Sequence, residues 1–153
     1  MVSRIRIDQN KALFVQSLIG NKDNPEGVFE TYADIVAFAA AVGKKYDCRL
    51  PLEHISQEPS PISLDVFISR GYDLLMDILA ITTMEDVQCL AGEGQKKDEQ
   101  RIIIFEEYAN GGLSYLQEQL VGAIDYQERI LLLLNQERYN NNPVHEFDLS
   151  RFL

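Results

Sequence analysis

Apolar residues recur every three or four positions along most of this chain, which is the spacing of one face of an α-helix. The first residues differ, because in Val2–Asp8 the apolar Ile5 and Ile7 alternate with basic and polar residues. That alternation is typical of a half-buried β-strand. Asp8 can then cap a helix that continues to about Ile19. The pattern predicts a short N-terminal strand followed by helices.

A second helix is predicted from Thr31 to about Lys45. Thr31 and Asp34 form a capping box with a shorter acid than usual, and the lysines at the end of the segment suit the negative pole of a helix. The stretch after it contains three prolines, each of which removes a backbone donor. We therefore expect residues 46–63 to be irregular.

The segment that follows allows two interpretations at its start. Ser63 can cap a helix that breaks at Gly71, but the alternation of apolar residues also favours a strand at the beginning of residues 62–68. A further short helix is predicted over residues 83–90. Residues 91–100 contain two glycines and a lysine pair, and we expect them to form an exposed loop.

The most distinctive stretch is 99–122, with the sequence EQRIIIFEEYANGGLSYLQEQLVG. Apolar residues follow helical spacing both before and after an Asn-Gly-Gly tripeptide at 110–112. Glycine adopts positive φ without a steric penalty, so it commonly ends a helix. We expect two short amphipathic helices joined at residues 110–112. Their apolar faces are formed by Ile102, Phe105 and Ala109, and by Leu113, Leu116 and Leu120.

The last helix is predicted from an Asp125 cap to about Glu137, and three asparagines and Pro143 follow it. We therefore expect one compact, mainly α domain over residues 1–137, with a short N-terminal strand and a tail over residues 138–153. An apolar tail should be buried against the body, a second copy or a partner. Its candidate docking residues are Phe147, Leu149, Phe152 and Leu153.

Charge is distributed unevenly along the 153 residues. The net charge is −10, and residues 71–153 hold 15 acidic and 6 basic residues, against 9 and 8 in residues 1–70. An acidic body repels DNA phosphates, so any DNA contact requires a local basic spot. The best candidate for that spot is formed by Arg4, Arg6 and Lys11.

No pattern of catalysis or metal binding is present in the sequence. His54 and His145 lack the spacing of metal ligands, and nucleophile and phosphate-loop motifs are absent. Cys48 and Cys89 lie far apart and outside any CxxC motif. Neither a secretory leader nor a membrane span is recognisable. We predict a cytoplasmic protein without catalytic residues, cofactor or metal.

The order strand, helix, loop, helix at the N-terminus is that of ribbon-helix-helix DNA-binding proteins. In those proteins two copies pair their strands, and outward side chains read the major groove. Arg4 and Arg6 occupy the corresponding outward positions here. The loop over residues 20–30 is long for that fold, and the rest of the chain is acidic. The simpler alternative is a strand that covers the edge of a helical body.

Four segments, in this order and spacing, resemble the small proteins associated with DNA-phosphorothioation (Dnd) systems. The most specific is the FEEYANGGL string at the start of the fourth segment. The resemblance covers about residues 4–134 and leaves the Asn-rich tail outside. The segments are Arg4–Asp8 (RIRID), Thr31–Gly43 (TYADIVAFAAAVG), Gly71–Ile81 (GYDLLMDILAI) and Phe105–Leu116 (FEEYANGGLSYL).

The resemblance implies a role in bacterial genome defence against phage, beside enzymes that replace a non-bridging phosphate oxygen of DNA by sulfur and beside the matching restriction proteins. It implies no reaction and no catalytic residues. Our leading hypothesis is a non-catalytic accessory protein whose acidic helical body binds proteins of that complex. The alternative is a small DNA-binding regulator that dimerises through its N-terminal strands.

Overall fold

A computed structural model describes residues 3–85 and 95–140, without the side chains of residues 95–97 and 140. The described part is mainly α-helical, which confirms the predicted fold class. In chain order its elements are β1 (Arg4–Ile5), α1 (Ala12–Leu18), α2 (Tyr32–Lys45), β2 (Ile62–Ser63), α3 (Leu64–Ser69), α4 (Asp73–Met84), α5 (Gln95–Leu120) and α6 (Tyr126–Asn140). No described helix has the length and apolar character needed to cross a bilayer.

The central element is α5, and it corrects the predicted helical hairpin. Residues 95–120 form one continuous helix, so the expected turn at residues 110–112 is wrong. The predicted loop over residues 91–100 is also wrong from Gln95 onwards, because α5 begins there. Ile102, Phe105, Leu113 and Leu116 all lie in the core, as helical spacing requires.

The glycines of α5 serve close packing rather than a turn. A Cβ atom on Gly111 would lie 1.9 Å from the carbonyl oxygen of Cys48, and one on Gly112 would lie 1.7 Å from that of Ala39. On the facing helix, a Cβ atom on Gly43 would lie 2.0 Å from the carbonyl oxygen of Tyr108. A side chain at Gly112 or Gly43 would therefore force the backbones of α2 and α5 apart, and one at Gly111 would push α5 away from the segment that follows α2.

The second helix agrees with its prediction at both ends. The Thr31 side chain accepts a hydrogen bond from the Asp34 amide at 3.2 Å, and the helix runs from Tyr32 to Lys45. Its buried stripe is broad and rich in alanine, which lets it approach α5 closely. The buried residues of α2 are Ala33, Ile35, Val36, Ala37, Ala39, Ala40 and Gly43.

Both interpretations of residues 62–68 are realised. A two-residue strand, β2, pairs antiparallel with β1, and α3 follows it directly. The break at Gly71 is confirmed, with a φ of 83° that favours glycine. Thr83 lies inside α4 instead of starting a new helix. The remainder of that predicted helix, residues 86–90, lies outside the described part.

The N-terminal strand packs on the body of its own chain. Ile5 and Ile7 are buried as predicted. Successive hydrogen bonds join residues 3–9 to residues 54–64, including Leu64 N–H to the Ser3 carbonyl at 2.9 Å and Ser56 N–H to the Ile7 carbonyl at 2.8 Å. One edge of the strand is therefore occupied within the chain.

The last helix begins where predicted and ends three residues later, at Asn140. Asp125 Oδ1 accepts a hydrogen bond from the Glu128 amide at 3.2 Å. Of the predicted stripe, Ile130 is buried, Tyr126 and Leu133 are half-buried, and Leu134 is exposed. The tail residues from 141 onwards lie outside the described part. The division into a domain and a tail at residue 137 stays a prediction.

Candidate functional site

Arg6, one of the predicted DNA contacts, is joined to the interior of the protein. Its Nε and Nη2 atoms each donate to the Glu106 carboxylate at 3.0 Å, and its backbone N–H donates to Glu106 Oε2 at 2.6 Å. Glu106 lies on α5 and is 2% exposed. The hydrogen bond and charge of Glu106 raise the pKa of Arg6, against the opposing effect of partial burial. Its charge is balanced by the carboxylate.

The other two candidate DNA contacts, Arg4 and Lys11, are held less firmly by the rest of the chain. Arg4 is exposed and donates from Nη1 to the Pro61 carbonyl at 3.3 Å. Lys11 is half-buried at the end of the short 3-10 turn before α1. A DNA contact through these residues stays a prediction. Arg6 could take part in it only while it remains paired with the Glu106 carboxylate.

A groove of about 490 Å³ lies between α2, the start of α4 and the loop at residues 28–30. Its apolar lining comes from three separate parts of the chain and includes Phe29, Phe38 and Leu75. The rings of Phe29 and Phe38 are 5.5 Å apart. Phe29 is held in place because its N–H donates to the Leu18 carbonyl and its own carbonyl accepts from Gly20 N–H. The backbone of Phe29 is thus fixed at the edge of the groove.

A polar network closes one side of the groove. Arg70 Nε and Nη2 donate to the two carboxylate oxygens of Asp34 at 2.8 and 2.9 Å, and the Tyr72 hydroxyl donates to Asp34 Oδ1 at 2.5 Å. Partial burial opposes ionisation of Asp34, but hydrogen bonds from Tyr72 and Arg70 outweigh it, so the pKa of Asp34 lies below its usual value. The hydrogen bond to Asp34, with burial, raises the pKa of Tyr72.

The apolar surface extends from the groove onto α4. Leu74 and Ile78 are one helical turn apart and are 65% and 49% exposed, and Leu75 beside them lines the groove. The groove is also lined by Glu30, which is exposed, while Arg70 is already paired with Asp34. We call this combined surface the α2–α4 surface. It consists of Phe29, Phe38, Leu74, Leu75 and Ile78, with Glu30 beside them.

The sequence matches the profile of a family described as DNA sulphur modification system-associated protein 4, over residues 4–152. The chain belongs to this family. The family resemblance drawn from the sequence is thereby confirmed. The limit placed on it at residue 134 is wrong, because the match continues through the Asn-rich tail. Comparison with curated proteins and with solved structures found no match.

The family description connects the protein with a DNA sulphur modification system and names no reaction. Within residues 3–85 and 95–140, no three histidine, cysteine or acidic side chains are grouped so as to hold a metal ion. His54 is exposed on the irregular segment, and His145 lies outside the described part. Among the described residues we take the α2–α4 surface as the candidate site, because it combines an apolar groove with exposed apolar side chains of α4.

Sequence reasoning did not identify the α2–α4 surface. The sequence pattern assigns Asp34 to the cap of α2, and its pairing with Arg70, 36 residues later, has no local signal. An exposed apolar surface at Leu74 and Ile78 could have been predicted from the sequence. The segment of α4 has apolar residues on more sides of the helix than a single buried stripe requires.

Proposed function

We propose that this protein is a non-catalytic accessory protein of a DNA sulphur modification system, and that it binds a partner protein of that system through the α2–α4 surface. The observation that carries the proposal is the exposure of Leu74 and Ile78 beside an apolar groove. Contiguous exposed apolar surface with a polar rim is typical of protein interaction sites. The family description supports the association with the system.

The charge of the surroundings specifies the chemistry of the partner. The net charge of −10 and the exposed carboxylate of Glu30 favour a positively charged partner, because complementary potentials accelerate encounter and select orientation. The apolar groove favours an apolar or aromatic anchor on that partner. We therefore expect an amphipathic segment in which apolar side chains enter the groove and Lys or Arg residues face Glu30.

The alternative function, a DNA-binding regulator with paired N-terminal strands, has less support. The Arg6 amide, next to β1, donates to the buried Glu106 carboxylate on one side of the segment, and the opposite side is joined to residues 54–64. A ribbon formed with a second copy would have to displace one of these arrangements. The Arg6 side chain would also leave a buried carboxylate unpaired if it moved to DNA.

The experiment that tests the proposal is co-purification of the tagged full chain, at near-native expression, with the proteins encoded by its own modification system. The affinity of each recovered partner is then measured with purified proteins. The double variant Leu74→Ser with Ile78→Ser should weaken binding at least about tenfold, since each is a potential anchor side chain. Both residues are exposed, so we expect the fold to be retained.

The matched control is Leu13→Ser on α1, because Leu13 is also an exposed leucine but lies outside the α2–α4 surface. This variant should bind as the parent does. Recovery of no system protein, or equal affinity of the double variant and the parent, would contradict the proposal. Gel shifts at low salt on sulfur-modified and unmodified duplexes test the alternative. Binding that is lost in Arg4→Ala with Lys11→Ala would favour the DNA-binding regulator.

A further inference from the structure

The sixth helix carries more apolar surface than the described body covers. Residues 130–134 are five consecutive apolar residues, and Leu131 and Leu134 remain 53% and 49% exposed. These two leucines are three positions apart and so share one face of α6. A helix that is apolar on most sides is normally buried. The Leu131–Leu134 face therefore lacks a covering partner in the described part of the chain.

This face continues into an apolar gap between α6 and the body. The gap has a volume of about 90 Å³, and its lining includes Val42 of α2, Tyr115 of α5 and Leu134 of α6. The edge of α6 is fixed there by Glu137, which accepts from the Tyr46 hydroxyl and pairs with Lys45 at 3.2 Å. A covering segment would contact both α6 and α2, and would bury more apolar area than contact with a lone helix allows.

We propose that the C-terminal segment, residues 144–153, folds back along α6 and covers the Leu131–Leu134 face. Three residues separate the segment from the end of α6, and the family match extends to residue 152, so the segment belongs to the family's common sequence. Its apolar residues are those predicted to dock, namely Phe147, Leu149, Phe152 and Leu153.

The geometry of the chain permits this return. From Asn140 back to Leu131 is about 13 Å at 1.5 Å per helical residue. Reversal at Asn141–Pro143, which are turn-forming residue types, followed by four residues at about 3.3 Å each, brings Phe147 to the level of Leu131. The whole segment is long enough to follow α6 to its beginning. This inference does not depend on the proposed partner-binding function.

The absence of tryptophan from the chain provides a clean probe. In the full chain carrying Phe147→Trp, we expect blue-shifted emission and weak quenching by acrylamide, because the indole is covered. Adding Leu131→Ser and Leu134→Ser should shift the emission towards that of a solvent-exposed indole and raise the quenching constant at least about twofold. Circular dichroism checks that the helices are retained.

The control pair is Leu74→Ser with Ile78→Ser, which changes an equally exposed apolar surface elsewhere and should leave the emission unchanged. Exposed-indole emission in Phe147→Trp itself would overturn the proposal, as would a blue shift that survives Leu131→Ser with Leu134→Ser. A blue shift that disappears on dilution would show that a second copy supplies the segment, which also overturns the intrachain contact.

Discussion

The interface between α2 and α5 and the interface between α6 and the body are built in opposite ways. The first is formed by glycines and alanines, with backbones so close that a Cβ atom at Gly112 would lie 1.7 Å from a carbonyl oxygen. The second is formed by large leucines, of which several stay about half-exposed, and by the polar contacts of Glu137. Large apolar residues therefore do not mark the tightest interface of this protein, and small ones do.

The largest effect is expected from Gly112→Ala. In an open helix this change stabilises by up to about 1 kcal/mol, because alanine has the higher helix propensity. Here the new methyl group meets the Ala39 backbone, and we expect destabilisation of about 3 kcal/mol. Urea unfolding of the two proteins measures the difference. Gln117→Ala, at an exposed position of the same helix, should change the stability little. Stabilisation by Gly112→Ala would refute the close approach of the helices.

The next effect concerns the attachment of β1 to α5. Arg6→Ala leaves the buried carboxylate of Glu106 with one backbone donor. We expect a loss of about 2 kcal/mol, which is less than for a fully buried pair because Arg6 is partly exposed. Arg4→Ala is the control, since its one side-chain hydrogen bond is exposed. Thermal unfolding compares them. Equal melting temperatures for both variants would mean that the ion pair contributes nothing to stability.

A smaller, pH-dependent effect is expected at the edge of α6. The hydrogen bond from Tyr46, with the charge of Lys45, holds the pKa of Glu137 below its usual value, although burial opposes this. The contribution of ionised Glu137 to the stability of the folded state is complete above its unfolded pKa of about 4.3. This contribution is lost as the pH falls through the lower pKa of the folded state. Amides of α6 should therefore exchange faster relative to α5 as the pH falls below about 4, after correction for intrinsic rates. In Glu137→Gln this relative change should be absent.

The smallest effect is expected from Leu132→Ser. Leu132 and Tyr139 are seven residues apart on the solvent side of α6, and both are exposed. The change should alter the free energy of unfolding by no more than about 0.5 kcal/mol. A loss above about 1 kcal/mol, measured by urea unfolding, would mean that this side of α6 is also covered.

Locally encoded features were predictable from the sequence. The helix α2 depends on a capping threonine, a continuous apolar stripe and a lysine pair at its end, all within 15 residues, and its bounds were predicted correctly. The break at Gly71 was also predicted from a local feature, the glycine itself, and the structure gives that residue a φ of 83°, which favours glycine.

The error at residues 110–112 arose because glycine has two uses that look alike in a sequence. It permits positive φ, and it permits close approach of another backbone. The distinguishing signal was present, since the apolar residues from Ile102 to Leu120 keep an unbroken spacing of three and four through the glycines. A real turn would have interrupted that phase.

The partner of Arg6 could not be predicted by any local rule. Alternation correctly placed Arg6 opposite Ile5 and Ile7, but Glu106 reaches it from 100 residues away. The candidate site has the same character, because the groove combines residues from the loop at 28–30, α2 and α4. Sites assembled from distant segments depend on the packing of the whole chain, which pattern analysis does not supply.

The ion pair between Arg6 and Glu106 also has a consequence for the order of events during synthesis. At about 5–20 residues per second, a ribosome needs about 5–20 s to add the 100 residues that separate the two partners. Throughout that interval Ile5 and Ile7 have no α5 to pack against. The strand β1 is thus translated well before the helix that it packs against, and in nascent chains that end before α5 its apolar side chains are not covered by that helix.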